Sequence, residues 1–368
     1  MLSKYLSNTH LVNRNSTDYK PHFFRINAKS DKNLLLELFQ RSPQIQVFDQ
    51  IQGQLKELIK LLHPAEKLND GDYQNLISKH LNGCDITEYG VWVYYPWSNR
   101  LVHILDEKEF IEVRTNRNCY KITPEEKDVL ATKKIGVVGL SVGQSVAVTL
   151  AMERCCGEIR LADFDILELT NLNRIRIGVH NLGLNKAYSV AREISEIDPF
   201  LKVSCFSDGL TAENIDDYFN STGKLDVVID ECDSLNIKVL IRQFSKKNGI
   251  PVIMETSDRG MIDIERFDLD QNRPILHGLI EDNMDPFTID RLSPEERMKL
   301  IFKIVDYQSI SESLKYSLNQ IGKTITTWPQ LASSVTMGGG IVTDICRRIF
   351  LNKHDKSGRY YIDIEKLI

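Results

Sequence analysis

Acidic, amide and guanidinium side chains follow one another closely in the segment DFDILELTNLNR at residues 163–174. The segment comes directly after the apolar-rich run IRLA, which predicts a buried strand. A carboxylate at a strand end can accept hydrogen bonds from a ribose, and a guanidinium group can bind phosphate. Asp163 and Arg174 therefore suggest that this segment contacts a nucleotide.

A glycine-bearing loop precedes this segment in the chain. The run GVVGLSVGQS at 136–145 joins an apolar strand pattern to a helical pattern, with Gly139 and Gly143 in the turn. Backbone N–H groups at such a helix start bind phosphate. Ser141 and Gln144 replace the second and third glycines of G-x-G-x-x-G, so a tight turn without a ligand stays open as an alternative.

The spacing between this loop and the next strand end strengthens the nucleotide hypothesis. Asp163 lies 163 − 139 = 24 residues beyond Gly139, near the spacing of about 20 at which an acidic residue binds ribose hydroxyls. Arg174 and Lys186, in GLNKA at 183–187, add two cations that could withdraw charge from a phosphate under attack. Surface salt bridges are the alternative role for these cations.

A further pair of carboxylates follows another predicted strand, in VVIDECDS. Asp230 and Asp233 stand where the strand ends, and a carboxylate there could hold Mg²⁺ beside the phosphates. Capping of the next helix by Asp233 is the competing interpretation.

The elements that must position these side chains alternate from Lys133 onward between short apolar runs and helical stretches. This alternation predicts an α/β fold with a doubly wound, mainly parallel, Rossmann-like sheet that binds its ligand at the carboxyl ends of the strands. MIDIERFDL and RYYIDIEKL predict C-terminal antiparallel strands. Between them we expect a helical insertion at 293–320, with a capping box at Ser293, and a glycine-softened buried helix in SSVTMGGGIVTDICRRIF.

The preceding part of the chain predicts a smaller α+β accessory domain over residues 1–110, with the nucleotide-binding domain over 111–368. Residues 31–83 have helical spacing, and GVWVYYPW with LVHILD predicts an antiparallel hairpin. Residues 1–30 are polar and irregular. The hairpin aromatics predict either a peptide-binding face or a surface packed on the main domain.

Composition excludes several functional classes. The net charge is −5 and the pI about 6.0, which argues against nucleic-acid partners, and no apolar run of about 18 residues predicts a membrane span. We expect a cytoplasmic protein. The seven cysteines form no C-x-x-C pair, so neither a zinc site nor disulfides are predicted.

In order and spacing, five motifs resemble those of the E1-like activating enzymes, the group of ThiF, the molybdopterin-synthase activator and ubiquitin-activating enzymes. They are RTNRN at 114–118, GLSVGQS at 139–145, DFDILELTNLNR at 163–174, GLNKA at 183–187 and DECDS at 230–234. The resemblance implies ATP- and Mg²⁺-dependent adenylation of a C-terminal carboxylate on a protein or peptide, such as a ubiquitin-like or sulfur-carrier protein, with release of pyrophosphate.

The same resemblance implies roles for individual residues. Asp163 would bind the ribose, with Asp165 beside it, and Asp233 would hold the metal. Arg117 would act in the partner's site of a homodimer. The phosphate-binding residues would be Gly139, Ser141, Gly143, Asn171, Arg174 and Lys186.

The chain departs from many members of that group in its cysteines. The two zinc-binding C-x-x-C pairs are absent, and residues 260–345 contain no cysteine for a thioester. Cys232 and Cys346 are interpreted as packing residues. The sequence therefore resembles a bacterial subgroup without the zinc pairs.

Two other functional classes stay open on the sequence. An NAD-dependent oxidoreductase would share the sheet and Asp163, although it would leave Arg174, Lys186 and Asp233 without a joint purpose. A non-catalytic nucleotide-binding adaptor is the other alternative, given Ser141 and Gln144 in the glycine loop.

Overall fold

The structure, a computed structural model, describes residues 17–368. The prediction of irregular chain over 1–30 is wrong at His22–Phe24, which form a strand, and for residues 1–16 it lies outside the described residues. The strands are β1 (His22–Phe24), β2 (Gln46–Asp49), β3 (Val91–Tyr95), β4 (Arg100–Ile104), β5 (Lys134–Val138), β6 (Glu158–Ala162), β7 (Lys202–Phe206), β8 (Val227–Asp230), β9 (Val252–Thr256), β10 (Met261–Glu265) and β11 (Gly358–Tyr361).

Helices connect these strands along the chain. They are α1 (Lys29–Arg41), α2 (Ile51–Leu62), α3 (Asp70–Leu81), α4 (Glu107–Arg114), α5 (Pro124–Ala131), α6 (Gly143–Glu153), α7 (Lys186–Ile197), α8 (Ile215–Asn220), α9 (Leu235–Asn248), α10 (Pro286–Ile289), α11 (Pro294–Ile304), α12 (Glu312–Leu318), α13 (Ala332–Phe350) and α14 (Ile364–Leu367).

The larger sheet has seven strands in the order β11-β10-β9-β8-β5-β6-β7. Strands β5 to β9 run parallel, and β10 and β11 are antiparallel to their neighbours, so the predicted fold class is confirmed. The chain passes from β5 to β6 and β7 on one side, and β8 lies on the other side of β5. This reversal of direction opens a crevice between the carboxyl ends of β5 and β8, where such sheets bind ligands.

Apolar cores cover both faces of this sheet. One contains side chains of β5, α6, α7 and α13, and the other contains side chains of β8, α8, α9 and α11. Burial on both faces explains why β5 and β8 are almost wholly apolar, whereas β6 carries a buried ion pair, Glu158 and Arg160. The carboxyl ends of the strands, where the chain leaves the core, can carry polar side chains for a site.

The smaller sheet has the order β1-β3-β4-β2, with the predicted hairpin formed by β3 and β4. Some of its aromatic side chains contact the part of the chain that forms the larger sheet. Phe23 stacks on Phe200, and the Trp97 indole N–H donates to Glu196 Oε1 at 2.6 Å. The packing alternative for the hairpin aromatics is observed at Trp97, whereas Trp92 stacks on His103 within the smaller sheet. Helix α4 runs across residue 110, and the division into two domains there stays a prediction.

The C-terminal part contains the predicted insertion and the predicted glycine-softened helix. Ser293 caps α11 in a capping box with Glu296, as predicted. Helix α13 crosses α6 so closely that Gly339 has room only for a hydrogen atom. A Cβ on residue 339 would overlap Ser145 Oγ and lie 2.9 Å from the carbonyl carbon and oxygen of Ser145.

We expect Gly339→Ala to lower the free energy of unfolding by about 1–3 kcal/mol, because the added methyl group forces α6 and α13 apart. Urea unfolding at constant pH measures the change. Gly340→Ala is the matched control, since a Cβ there meets no atom within 4 Å and alanine favours a helix by about 1 kcal/mol. Equal effects of the two substitutions would contradict the close crossing.

Candidate functional site

The glycine loop lies at the crevice between β5 and β8. Gly139 has a φ of +85°, and a Cβ there would lie 2.5 Å from the Glu231 carbonyl oxygen and 2.6 Å from the Cys232 nitrogen. Only glycine fits this approach without strain. Helix α6 begins at Gly143, and no side chain caps it, so backbone N–H groups at its start are available to an anion.

Asp163 fastens this loop to the end of β6. Its carboxylate accepts hydrogen bonds from the N–H of Leu140 at 2.6 Å and the N–H of Asp165 at 2.8 Å. Burial raises the pKa of Asp163, whereas the Leu140 N–H and the charge of Lys186 act in the opposite direction. Each carboxylate oxygen has a second lone pair, so Asp163 can still accept a ribose hydroxyl.

Arg174 reaches the glycine loop from the segment after β6. Its Nε donates to Ser141 Oγ at 3.0 Å, and its Nη1 donates to Asn173 Oδ1 at 2.8 Å. Burial lowers the pKa of Arg174, and the charge of Asp233 opposes that shift. The guanidinium group therefore lies between the glycine loop and the segment that follows β8.

Gln144, at the third glycine position of the motif, ties α6 to the same segment. Its amide donates to the Arg176 carbonyl at 3.2 Å and to Glu193 Oε2 at 2.6 Å. The side chain is buried, with 1% of its surface exposed. The departure from glycine thus supplies a clamp that holds the Arg174 segment against the helix start.

Lys186 and Asp165 form an ion pair beside Asp163. Lys186 Nζ lies 2.8 Å from Asp165 Oδ2, and the Lys186 N–H donates to the Asp165 carbonyl at 2.9 Å. This pairing matches the salt-bridge alternative for Lys186. Asn171 is buried, and its amide oxygen accepts the Glu168 N–H at 3.0 Å, so this oxygen shapes the loop.

The two aspartates after β8 have different surroundings. Asp230 is buried against Lys238 and Arg242, at 3.1 and 2.5 Å. Burial opposes its ionisation, but the charges of Lys238 and Arg242 prevail and lower its pKa to about 2. Asp233 is exposed, and the N-cap of α9 is Ser234. The capping interpretation of Asp233 is therefore wrong, and its carboxylate is open to a ligand.

Arg117 lies away from these residues within its own chain. Its neighbours Arg114 and Asn118 donate to the carbonyls of Met152 and Glu153 at the last turn of α6. The glycine loop adjoins the opposite end of this helix, about 15 Å away for an 11-residue helix. Arg114 pairs at 2.8 Å with Asp198, which is a buried acid and not a surface one, whereas Arg117 is exposed.

A cavity of about 740 Å³ opens beside Arg174 and Asp233. Its inner end carries the carboxyl groups of Glu231 and Glu255, which the site predictions missed. The carboxyl-end position of Glu255 on β9, in the run IPVIMET, is the signal that could have found it. Apolar side chains also line this cavity, among them Ile301, Ile304, Ile310, Leu314, Trp328 and Leu331.

Of the two cysteines considered in the sequence, Cys346 is buried and Cys232 is half-buried. Burial raises the pKa of Cys232 well above its ordinary value, and it also raises the pKa of Cys346. A thiol that resists ionisation is a poor nucleophile. Residues 17–368 contain no group of three or more His, Cys, Asp or Glu side chains that could hold a metal ion, and no helix there has the length and apolarity to span a membrane.

Comparisons with known proteins agree with this fold. The family model described as "ThiF family" matches residues 114–340, more than half of the chain. The uncharacterized protein MT1398 of Mycobacterium tuberculosis (strain CDC 1551 / Oshkosh) is 40% identical over 334 residues, which cover 91% of this chain and 44% of that protein. The tRNA threonylcarbamoyladenosine dehydratase of Escherichia coli (strain K12) is 35% identical over 137 residues, covering 37% of this chain and 50% of that protein.

The matched segments thus span half or less of these two curated relatives. Among solved structures, the crystal structure of PaaA superposes with a TM-score of 0.50 and 20% identity, covering 70% of this chain and 84% of PaaA. This likeness concerns the fold.

We expect Gly139→Ala to lower the free energy of unfolding by about 2–4 kcal/mol, because it combines a strained φ with a clash against the segment after β8. Gly322→Ala is the matched control, since Gly322 has a φ of +78° and a Cβ there meets no atom within 4 Å. It should cost only about 1 kcal/mol. Denaturant unfolding of both variants isolates the clash, and equal losses would refute the close approach.

Proposed function

The chain belongs to the ThiF family of E1-like, ATP-dependent enzymes, and we propose that it uses ATP to adenylate the C-terminal carboxylate of a peptide or protein. The observation that carries the proposal is the meeting of Asp163, Arg174 and the start of α6 at one glycine loop. A ribose-binding acid, a cation and free helix N–H groups together suit a nucleotide with phosphates.

Each part of ATP has candidate partners at this loop. Asp163, with Asp165 beside it, would receive the ribose hydroxyls. The phosphates would lie along Gly139, Ser141 and Gly143, beside the uncapped start of α6. Asn171, three residues before Arg174, would also bind the phosphates. These roles are supported by the contacts among the residues and by the family match.

Asp233 would hold Mg²⁺ through its exposed carboxylate. Mg²⁺ commonly binds one or two carboxylates together with substrate phosphates, so a single aspartate fits, and when bound the ion supplies neutralising charge to the phosphates. Asp230 does not fit this role because Arg242 and Lys238 already occupy its oxygens. The proposal includes no zinc.

In the proposed step, a carboxylate oxygen attacks the α-phosphorus of ATP. The new bond joins this oxygen to phosphorus, the bond to the β-phosphate oxygen breaks, and pyrophosphate leaves with the electron pair. Repulsion between two anions is the main obstacle, and Arg174 and Lys186 reduce it by neutralising the phosphates. The attacking group is already ionised, so no general base is required.

Lys186 must change partner to serve this step. It pairs with Asp165, whose side chain is about half exposed. Lys186 itself is buried, with 7% of its side chain exposed, so it requires an anionic partner. A phosphate oxygen can take over that pairing from Asp165, and Asp165 would keep Lys186 near the site until ATP arrives.

Arg117 would complete the site from a second copy of the chain. It is exposed at the far end of α6 from its own glycine loop, so within one chain it has no access to the phosphates. A homodimer that places it in the partner's site gives it a purpose. We further propose that the protein is cytoplasmic and that its substrate is a peptide, or a ubiquitin-like or sulfur-carrier protein.

Dehydration is a second candidate outcome. A dehydratase is named among the relatives, and an activated carboxylate that is attacked by a nucleophile of the same molecule loses one water in total. Mass spectrometry of the product separates the two outcomes, because transfer adds the mass of an acceptor less one water, whereas dehydration only removes the mass of water.

We expect ATP–pyrophosphate exchange with a panel of peptides bearing free C-terminal carboxylates. Arg174→Ala should slow it about 10²–10³-fold, because the α-phosphate loses a charge-neutralising partner. Asp233→Asn should also slow exchange, through its effect on Mg²⁺. Labelled pyrophosphate appearing in ATP is the measurement.

Arg176→Ala is the matched control for Arg174→Ala, since Arg176 is an exposed arginine on the same segment, and it should change the rate less than about threefold. C-terminally amidated peptides should support no exchange. Undiminished exchange in Arg174→Ala would reject the assignment. Binding of NADH without ATP, or ATP binding without exchange, would favour an oxidoreductase or an adaptor.

We expect the inactive variants Arg117→Ala and Arg174→Ala to regain activity when they are mixed and allowed to exchange subunits. Half of the dimers then combine the two chains, and one of their two sites is intact, which restores about a quarter of the wild-type exchange rate. Exchange is assayed before and after mixing. Absence of recovery, with subunit exchange verified by a tag, would contradict action of Arg117 across subunits.

A further inference from the structure

Glu255 is a buried carboxyl group without a partner at the inner end of the cavity. It is 5% exposed, and neither of its side-chain oxygens has a hydrogen-bond partner among the described residues. A buried polar group without a hydrogen bond costs about 1–3 kcal/mol. Burial accordingly raises the pKa of Glu255 to about 8.

The protein makes room for this carboxyl group. A Cβ at Gly338 on α13 would lie 2.5 Å from Glu255 Cδ and 2.6 Å from Oε2. Any other residue at position 338 would push the carboxyl group from its place. Gly338 makes room for an unpaired acid, and it adds no side-chain packing that would compensate for that acid.

A second acid lies beside it. Glu231 Oε1 accepts the Glu255 backbone N–H at 3.2 Å. The two carboxyl groups thus come from the ends of neighbouring strands, β8 and β9, and face one cavity.

Cations nearby are already committed elsewhere. Lys238 on α9 pairs with Asp230, and Arg259 pairs with Asp363. Helix α13 has no titratable side chain before Asp344. The remaining ionisable groups of the cavity wall are Arg174, Cys232, Asp233, Asp258 and Glu365. The inner end therefore has a surplus of acidic groups.

We propose that Glu255 and Glu231 bind the amino group of a second substrate, an amine with an apolar substituent that accepts the activated acyl group. This inference rests on the proposed adenylation. The amine would face Glu255, its substituent would pack on the wall around Ile304 and Trp328, and the acyl-adenylate would lie toward Arg174.

The transfer step balances with these groups. The ammonium form gives one proton to the Glu255 carboxylate and becomes a neutral amine. Its nitrogen attacks the acyl carbon, the bond from that carbon to the phosphate oxygen breaks, and AMP leaves with the electron pair. The second proton lost by the nitrogen passes to the released phosphate or to water, and the product is an amide.

An amine suits the inner end better than other ligands. Carboxylates and phosphates bring no hydrogen-bond donor for the unpaired Glu255 oxygens, and an alcohol brings one donor for four carboxyl oxygens. An ammonium group brings three donors and a compensating charge. A metal ion bound here without phosphates would need more ligands, and no third acidic, His or Cys group of residues 17–368 joins these two to form a metal site.

Butylamine serves as the probe, because an alkylamine with a pKa of about 10.4 is an ammonium ion at pH 7. We expect saturable binding to the full chain without nucleotide, followed by ligand-observed NMR. Glu255→Gln and Gly338→Ala should each weaken it about tenfold or more, the loss of a charged hydrogen bond. Gly340→Ala, the matched helix control, should bind like wild type.

The outcomes distinguish an amine-binding site from an apolar site without charge selectivity and from a metal site. Equal binding of 1-butanol and butylamine, or unchanged binding in both Glu255→Gln and Gly338→Ala with their folding verified by thermal unfolding, would overturn the proposal. Displacement of butylamine by Mg²⁺ but not by longer alkylamines would favour a metal site instead and likewise overturn it. The binding test does not depend on adenylation.

A second arm tests the reaction itself. With a peptide that supports exchange, added butylamine should yield the peptide butylamide, and Glu255→Gln should lower the amount of amide formed per pyrophosphate exchanged. Exchange without any amide would contradict the transfer proposal alone. Absence of exchange with every peptide would count against the adenylation proposal, while the binding result would still decide the amine site.

Discussion

The close approach of Gly139 to the segment after β8 is the constraint on which the site depends. With a Cβ at this position the two loops could not meet, and the crevice between β5 and β8 would open. Because they do meet, the Asp163 carboxylate can hold the Leu140 N–H, and Arg174 can reach Ser141. Because Gly139 has no side chain, the ends of β5, β6 and β8 lie close enough together to contact one small ligand.

The charges on either side of this crevice divide into fixed and free groups. Asp230 is held by Arg242, which also binds Glu265 from β10 at 2.5 Å. Pairs of this kind are costly to break because they leave an unpaired buried charge. They fix the end of β8, and three residues later Asp233 is exposed on a rigid support. The same short segment thus supplies both an anchor and a ligand position.

Much of this arrangement follows from local sequence signals, and the remainder depends on distant contacts. The strand ends, the Ser293 capping box and the position of Asp163 were predictable, because spacing and residue type determine them within a short stretch. The distance of Arg117 from its own glycine loop was not, since it depends on where the turn after α4 docks on α6. The room for Glu255 depends on Gly338, 338 − 255 = 83 residues away.

The Glu255 environment separates the requirements of folding from those of function. Folding favours apolar side chains or paired charges between a sheet and a helix. Here an acid without a partner lies against a helix that has glycine where a larger residue would pack. Local rules of this kind are usually broken at sites that bind something. The lost stability is recovered when a ligand supplies the missing hydrogen bonds, so binding at this cavity and stability of the fold should rise together.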